Sequence, residues 1–371
     1  MPGGPGAAPF PGERSEKRRW RSSRNLPAGV ERDTSLIAHD LRDTSAPDRN
    51  LALELVRVTE AAALAAARWV GRGAKEAADQ AAVDAMRFTL HAVPMDGIVV
   101  IGEGEKDEAP MLYNGEQIGD GSPPEVDVAV DPLEGTRLTA RGMPSALAVV
   151  ALAERGSMFD PGPCVYMEKM AGASDIADLL DLDRPLGETL ELIAKRRGSE
   201  VSDLMVIMLD RERHEEGVAQ VRKCGARIRF ITDGDVSTAL LAVTDDTGID
   251  LLWGIGGTPE GVLSAAAIKS MGGHLVGRLW PRDDDERSRA VEAGYDLDEV
   301  LDVNRLISGE DVFFAATGVT DGDLLEGVRY RDGAAATTES LVMRSRSGTV
   351  RKVQATHNRA KLRELTGTRY G

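Results

Sequence analysis

"VDVAVDPLEGTR" (residues 126–137) carries an alternating apolar strand directly into two carboxylates, Asp131 and Glu134, and a hydroxyl, Thr136. The valines of this stretch share one face of the strand, and Asp131 leaves it on the other, less apolar face. Pro132 has no amide hydrogen to donate, so we expect the strand to end there. Proline, glycine and acids are also typical of an exposed turn. A turn and a cation site are therefore both compatible with this stretch taken alone.

Strands and helices alternate along the second half of the chain, which indicates a layered α/β (α+β) fold. Strand-like runs such as "RIRFITDGD" and "IDLLWGIGG" are followed by the helical runs "DVSTALLAVT" and "TPEGVLSAAAIKSMGG". We expect two αβ domains in stacked helix and sheet layers, residues 48–199 and residues 200–371. Residues 1–47 are rich in Pro and Gly and then basic, which predicts a disordered extension.

The composition narrows the class of partner. The chain of 371 residues has a formal net charge of −16, which opposes binding to nucleic acid or to anionic membrane surfaces. It contains no run of about 18 apolar residues, so no transmembrane helix is predicted. Two cysteines, Cys164 and Cys224, form no disulfide framework, as expected of a cytoplasmic protein. Handling phosphate groups would require metal ions or clustered basic residues in such an acidic chain.

Acidic or glycine-rich segments follow several of the predicted strands, and open α/β sheets usually build their sites at strand ends. "IGEGEKDEAP" (residues 101–110), "TDGDV" (232–236) and "GIGGTPEG" (254–261) are such segments. Carboxylates that converge from several strand ends repel one another unless a cation neutralises them, and oxygen-only ligands suit Mg²⁺ or Mn²⁺. For Glu105 and Glu108 a solvated loop is the more ordinary interpretation, and "TDGDV" fits a simple turn equally well.

Eight segments stand in order across both halves of the chain: "GRGAKEAADQAAVDAMR", "IVVIGEGEKDEAPMLYNGE", "VDVAVDPLEGTRLTARG", "VYMEKM", "DGDVSTAL", "GIGGTPEGVLSAAAIK", "FFAATGVTDGDLLEGV" and "ATTESLVMRS". Together they resemble the class II fructose-1,6-bisphosphatases over roughly residues 48–358. "DPLEGT" also matches the wider Asp-Pro-x-(Asp/Glu)-Gly-Thr signature of lithium-sensitive, metal-dependent sugar and inositol phosphatases. The ordered set of segments is much more specific than that short motif.

The resemblance implies a metal site and a substrate site at matching positions of this chain. The implied metal ligands are Asp79, Glu103, Asp131, Glu134 and Glu260. The implied substrate contacts are Glu134, Gly135, Thr136, Tyr166, Arg211, Glu212, Arg213, Asp233, Gly234, Asp235 and Gly257. The implied catalytic residues are Thr136, Asp107 and Lys75. Some relatives carry lysine at the position of Arg211, so we expect the contacts with the distal phosphate to differ here, because a guanidinium group and an ammonium group bind phosphate differently.

The implied reaction is hydrolysis of the 1-phosphate of fructose 1,6-bisphosphate to fructose 6-phosphate and phosphate, with Mn²⁺ or Mg²⁺, in gluconeogenesis. Thr136, with Asp79 or Asp107, would orient or deprotonate the attacking water. The arginines, with Tyr166 and Lys169, would hold the sugar and its 6-phosphate. The expected partner is a small-molecule sugar bisphosphate rather than nucleic acid or a membrane, and we expect a homo-oligomer (dimer or tetramer).

Three alternative functions stay open at the level of sequence. The first is the same chemistry on sedoheptulose 1,7-bisphosphate, alone or as a dual activity, and the second is hydrolysis of an inositol phosphate. The third is a regulator that binds sugar phosphates without catalysis. The complete acid set together with Thr136 favours an enzyme, because binding alone would not require every one of these side chains.

Overall fold

The computed structural model describes residues 50–104, 111–331 and 335–366, with side chains to residue 362. They belong to one compact unit that begins at Asn50. The predicted extension of residues 1–47 lies outside the described residues, and so do Glu105, Asp107 and Glu108. Among the helices described, none is long and apolar enough to cross a bilayer.

The strands are β1 (Asp96–Ile101), β2 (Gln117–Ile118), β3 (Glu125–Glu134), β4 (Leu147–Glu154), β5 (Tyr166–Gly172), β6 (Met205–Leu209), β7 (Arg227–Ile231), β8 (Leu251–Gly257), β9 (His274–Leu279), β10 (Leu301–Asp302), β11 (Phe313–Gly318), β12 (Arg329–Tyr330), β13 (Ala335–Arg344) and β14 (Thr349–Asn358). The α-helices are α1 (Ala52–Ala66), α2 (Lys75–Leu90), α3 (Thr136–Arg141), α4 (Leu186–Arg197), α5 (Glu215–Cys224), α6 (Asp235–Val243), α7 (Thr258–Met271), α8 (Asp284–Glu292), α9 (Val303–Leu306) and α10 (Arg359–Thr366). Short 3₁₀ turns include Glu212–His214, between β6 and α5.

The first sheet has the strand order β12–β13–β11–β4–β3–β1–β2. β14 also pairs with β13, on the side opposite β11 and β12. β1 and β3 are parallel, whereas β4, β11 and β13 are antiparallel to their neighbours. Because β1 and β3 run the same way, their carboxyl ends meet at one edge of the sheet. Glu103, just after β1, and Asp131, near the end of β3, are therefore brought to the same edge.

The second sheet has the strand order β10–β9–β5–β8–β6–β7. β6 lies between β7 and β8 and is parallel to both, whereas β5 is antiparallel to β8 and β9. The parallel strands release their following loops at one edge. Arg211 follows β6, Asp233 follows β7 and Gly257 ends β8, so three separated segments meet at one edge of the sheet.

Helices cover both sheets and separate them, which gives five layers in the order helix, sheet, helix, sheet, helix. α1 and α2 pack on the outer face of the first sheet. α6 and α7 lie between the sheets, and α4 and α5 cover the outer face of the second. This arrangement confirms the predicted layered α/β fold.

The alternation predicted for β3 follows from these layers. Val126, Val128 and Val130 pack into the outer core with α1 and α2, whereas Ala129 packs into the middle core with α6 and α7. Asp131, two residues after Ala129, therefore points toward the middle layer.

The predicted division at residues 199/200 is not the division between the sheets. β5 and α4 precede that point yet belong to the second sheet and its outer layer. β11 and β13 follow it yet belong to the first sheet. The two-domain boundary stays a prediction, and the sheets draw strands from both sides of it.

Candidate active site

A cavity of about 450 Å³ opens where the strand ends of the two sheets meet the middle helices. Its walls include most of the residues singled out from the sequence: Lys75, Asp79, Glu103, Asp131, Glu134, Gly135, Thr136, Tyr166, Arg211, Arg213, Asp233, Gly234, Asp235, Gly257 and Glu260. Its other walls are Leu133, Val165, Leu209, Gly256 and Pro259. Segments more than 180 residues apart in sequence thus contribute to one site.

One sequence-predicted residue, Glu212, is not among the described walls of this cavity, and another, Asp107, falls on a part of the chain that the structure does not describe. Glu212 is exposed and is absent from the described lining of the cavity, although it stands between Arg211 and Arg213. Asp107 lies outside the described residues, so its catalytic role stays a prediction from the resemblance.

The expectation that Pro132 ends its strand is wrong. β3 continues through the proline to Glu134, where the pairing with β4 shifts: Asp131 faces Val149 and Glu134 faces Leu147. Three steps along β3 thus match two along β4, which is a bulge of one residue. A proline is tolerated there because the ladder is already interrupted. The Asp131 carboxylate also accepts a hydrogen bond from the Leu133 amide (3.1 Å).

The pKa values of the five proposed metal-binding acids of the cavity are raised above their ordinary values. Burial raises the pKa of Glu134 to about 8 and, together with the nearby Asp79, that of Glu103 to about 7. Burial and then repulsion from Glu134, Glu103 and Glu260 raise the pKa of Asp131 well above its usual range. The pKa values of Asp79 and Glu260 are raised as well, mainly by burial. Mutual repulsion of this kind is relieved by a cation.

The carboxylate of Glu134 provides a direct test of whether the residues fit a metal. One oxygen accepts a hydrogen bond from the Val236 amide (2.6 Å), and the other is buried with no hydrogen-bond partner among the described residues. No three His, Cys, Asp or Glu side chains in the described ranges are grouped closely enough to hold an ion as they stand. The acids are instead spread over the walls of the cavity. An all-oxygen donor set with a buried, unsatisfied carboxylate oxygen fits Mg²⁺ or Mn²⁺.

A buried ion pair links the second sheet to the start of α6. The ammonium of Lys169 lies 2.8 Å from the Asp235 carboxylate and donates to the Gly257 carbonyl (3.0 Å); the lysine is 2% exposed. The expectation that Lys169 holds the sugar is therefore not supported by its contacts. Its positive charge also opposes the rise in the pKa of Glu260.

Two glycines leave room for the acids. A Cβ on Gly257 would stand 1.7 Å from a carboxylate oxygen of Glu260, and a Cβ on Gly256 would stand 1.8 Å from one of Asp235. The two carboxylates thus occupy space that any other residue would fill. The "GIGG" segment, which lacks the lysine of a nucleotide-binding loop, accommodates acids instead.

Two arginines bring fixed positive charge to the cavity. Arg213 donates from Nε and Nη2 to the Ile255 carbonyl (3.1 and 2.7 Å), and its guanidinium carbon lies 4.8 Å from the centre of the Tyr166 ring. Arg211 donates to the backbone carbonyls of Asp210 and Thr232 (2.8 and 2.7 Å). Backbone contacts hold both side chains in place before any ligand arrives.

Thr136 is the first residue of α3, and Gly135 before it adopts a left-handed φ of 84°. Gly135 occupies the N-cap position of α3 and has no side chain, so Thr136, one position later, is not the capping residue. It borders the same cavity as Glu134 and Asp131. Lys75 stands at the start of α2 and is exposed.

Sequence reasoning missed the Lys169–Asp235 pair and the buried His214 behind the arginines. A lysine within the strand "YMEKMAG", between two methionines two positions away on one side and one on the other, was the available signal for the first, because a buried ammonium requires a partner. A histidine directly after the arginines was the signal for the second, but its partners lie on other strands.

The layered fold and a cavity that combines carboxylates with arginines define a phosphate-ester hydrolase. The family described as "Bacterial fructose-1,6-bisphosphatase, glpX-encoded" matches residues 49–357, and the chain belongs to this family. The resemblance stated from the sequence is thereby confirmed.

Two curated relatives match this chain over nearly their whole length. The "D-fructose 1,6-bisphosphatase class 2/sedoheptulose 1,7-bisphosphatase" of Synechococcus sp. (strain JA-3-3Ab) is 45% identical over 335 residues, covering 84% of this chain and 96% of the relative. The "Fructose-1,6-bisphosphatase class 2" of Haemophilus influenzae is 44% identical over 323 residues, with the same two coverages.

Proposed function

We propose that the protein hydrolyses the 1-phosphate of fructose 1,6-bisphosphate with Mg²⁺ or Mn²⁺, giving fructose 6-phosphate and phosphate. The observation that carries the proposal is the meeting of buried, mutually repelling carboxylates and two anchored arginines in one cavity of about 450 Å³. The family membership and the names of both relatives support it. A role in gluconeogenesis, a cytoplasmic location and a homo-oligomeric state belong to the same proposal.

The acids are proposed to hold the cations: Asp79, Glu103, Asp131, Glu134 and Glu260. When bound, the cations would polarise the phosphoryl group and make water at the site more acidic. Two observations support this role. One carboxylate oxygen of Glu134 is buried without a hydrogen-bond partner among the described residues, and the absence of a side chain at Gly257 leaves room for the carboxylate of Glu260.

The remaining side chains are proposed to bind and orient the substrate. Arg211, Arg213 and Tyr166 would hold the sugar and its 6-phosphate, since guanidinium groups match phosphate oxygens in pairs. Thr136 would orient the attacking water through its hydroxyl, with Asp79 or Asp107 as a proton acceptor. Lys75, Gly135 and residues 233–235 would complete the walls around the reacting phosphate.

A second substrate has specific support, because one relative is named for both fructose and sedoheptulose bisphosphates. The two sugars share the reacting end of the molecule, so a single cavity is compatible with both.

The chelator-treated protein should release phosphate only after Mn²⁺ or Mg²⁺ is restored. Side-by-side kcat/KM values for both bisphosphates and an inositol monophosphate distinguish the alternatives. Equal turnover with and without metal would contradict the proposal.

A further inference from the structure

His214 is a fully buried histidine whose two ring nitrogens both contact backbone groups. Nδ1 lies 2.7 Å from the Leu209 carbonyl, and Nε2 accepts a hydrogen bond from the Ile255 amide at 2.8 Å. A carbonyl accepts and an amide donates, so Nδ1 carries the proton and Nε2 does not. Burial lowers the pKa of His214 and favours this neutral form. The ring therefore has one defined tautomer and one defined orientation.

The imidazole takes the place of a missing strand contact. β6 and β8 pair directly only at Val206 with Leu251 and Ile207 with Leu252 among the described registers. Farther along, the Leu209 carbonyl and the Ile255 amide are joined through the ring instead. A parallel ladder would connect such groups directly. The His214 imidazole thus bridges the ends of β6 and β8 and sets the distance between them where they reach the cavity.

The neighbouring residues are shaped around this ring. A Cβ on Gly254 would stand 3.0 Å from the His214 ring, and Gly254 itself has a φ of 154°. The Trp253 ring centre lies 5.5 Å from that of His214. Within this packing the imidazole has little freedom to shift, so its position fixes that of the turn to which it belongs.

That turn, Glu212–His214, carries one of the two arginines and directly follows the other. Ile255 receives contacts on both sides: its amide donates to His214, and its carbonyl accepts two hydrogen bonds from Arg213. A loss of the first contact would release the residue that anchors the second. Arg213 in turn lies against Tyr166 in the cavity wall.

We propose that His214 is a positioning residue for substrate binding, which sets the gap between β6 and β8 and thereby fixes Arg213 in its substrate-binding position. The inference rests on the proposed function, in which Arg213 holds the phosphorylated sugar. His214 itself does not border the cavity described above and acts through Ile255 and Arg213.

The test is the variant His214→Phe, which keeps a ring of similar size and removes both hydrogen bonds. We expect its KM for fructose 1,6-bisphosphate to rise about tenfold or more, with kcat changed by less than about threefold. His214→Gln retains an acceptor near the position of Nε2 and should recover part of the affinity. If His214→Phe does not fold, His214→Gln alone must still raise KM for the inference to stand.

The matched control is Val221→Ala, a fully buried residue of α5 in the outer core against which Trp253, the ring neighbour of His214, also packs. It should lower the melting temperature while leaving KM unchanged, which separates positioning from general loss of stability. The double variant His214→Phe/Arg213→Met should have the same KM as Arg213→Met alone, because His214 acts through that arginine. Additive effects of the two substitutions would overturn the inference.

The failures of the inference and of the proposed function differ in outcome. An unchanged KM in His214→Phe, with a raised KM in Arg213→Met, overturns the inference and leaves the proposed function intact. An unchanged KM in both variants overturns the substrate-binding role of Arg213 and the inference with it. Absence of metal-dependent phosphate release by the wild-type protein overturns both proposals together.

Discussion

Asp131 and Glu134 stand three positions apart on β3, yet both carboxylates face one cavity. In a regular strand an odd spacing directs side chains to opposite faces. The extra residue opposite β4 cancels that spacing, because three steps from Asp131 to Glu134 match two from Val149 to Leu147. The bulge, rather than a strand end at Pro132, therefore directs both carboxylates to the same cavity.

Neutralising one acid of the cavity should lower the activity but raise the stability of the metal-free protein. We predict that Asp131→Asn lowers kcat/KM by at least about 10²-fold but raises the melting temperature of the metal-free protein. Burial and the neighbouring acids disfavour its charged form, so an uncharged isostere removes that penalty, by about 1 kcal/mol or more. Differential scanning of chelator-treated protein measures this, with the exposed Glu191→Gln on α4 as control. A large drop in melting temperature for Asp131→Asn would contradict the prediction.

The free energy of unfolding of the metal-free protein should fall as the pH rises. The pKa values of Glu103 and Glu134 are raised from 4.5 to about 7 and about 8, so the folded state keeps protons that the unfolded chain releases. Stability is then full below pH 4.5 and is lost as the pH rises through about 8. Urea unfolding of chelator-treated protein across this range measures the slope.

Two comparisons check that slope. Added Mn²⁺ binds the ionised carboxylates, so its stabilising effect should increase over the same pH range. Glu134→Gln removes one of the two titrating groups and should flatten the slope in the metal-free protein. An unfolding free energy that rises from pH 5 to pH 8 without metal, and is unaffected by Glu134→Gln, would refute the electrostatic interpretation.

A single methyl group should displace a proposed metal ligand. In Gly257→Ala the new Cβ would fall 1.7 Å from a Glu260 carboxylate oxygen, although the backbone there (φ −61°, ψ 138°) accepts alanine. We expect at least about a tenfold weaker metal affinity, by calorimetry, with the fold retained. Gly187→Ala is the control, because a Cβ at Gly187 meets only ordinary contacts. Equal metal affinities in both variants would exclude Glu260 as a ligand.

The two arginines should differ in their tolerance of lysine. Arg213 uses two nitrogens on one carbonyl and lies over Tyr166, which an ammonium cannot reproduce. Arg211 occupies a position where the family resemblance implies lysine in some relatives. We predict that Arg213→Lys raises KM for the bisphosphate about tenfold or more and that Arg211→Lys changes it less. Steady-state kinetics with saturating metal decide the order, and a larger effect at Arg211 would reverse the assigned roles.

Much of the fold and most of the site could be predicted from local patterns. The alternation of β3 assigned its valines and Asp131 to opposite faces, and acids or glycines at strand exits indicated where the cavity would be. Parallel strands end at the same edge of a sheet, so Glu103 and Asp131 line one cavity without any local signal in the sequence that they would.

Features that depend on pairing between distant strands could not be predicted. Pro132 predicts a strand end by its own chemistry, and only the register against β4 reveals a bulge. Lys169 acquires its partner because β5 pairs with β8 beside the start of α6, and His214 acquires its role because β6 and β8 diverge. β11 and β13 lie after residues 199/200 yet belong to the first sheet, a return of the chain that no local pattern indicates.

The most direct test is phosphate release from fructose 1,6-bisphosphate by the wild-type protein and by Glu103→Gln, each with saturating Mn²⁺ after chelator treatment. Glu103 lies in the acidic wall and has a pKa raised to about 7 by burial and by Asp79. We predict rapid, metal-dependent release by the wild type and none above background by Glu103→Gln. Normal turnover by Glu103→Gln would contradict the metal-site assignment on which the proposed function depends.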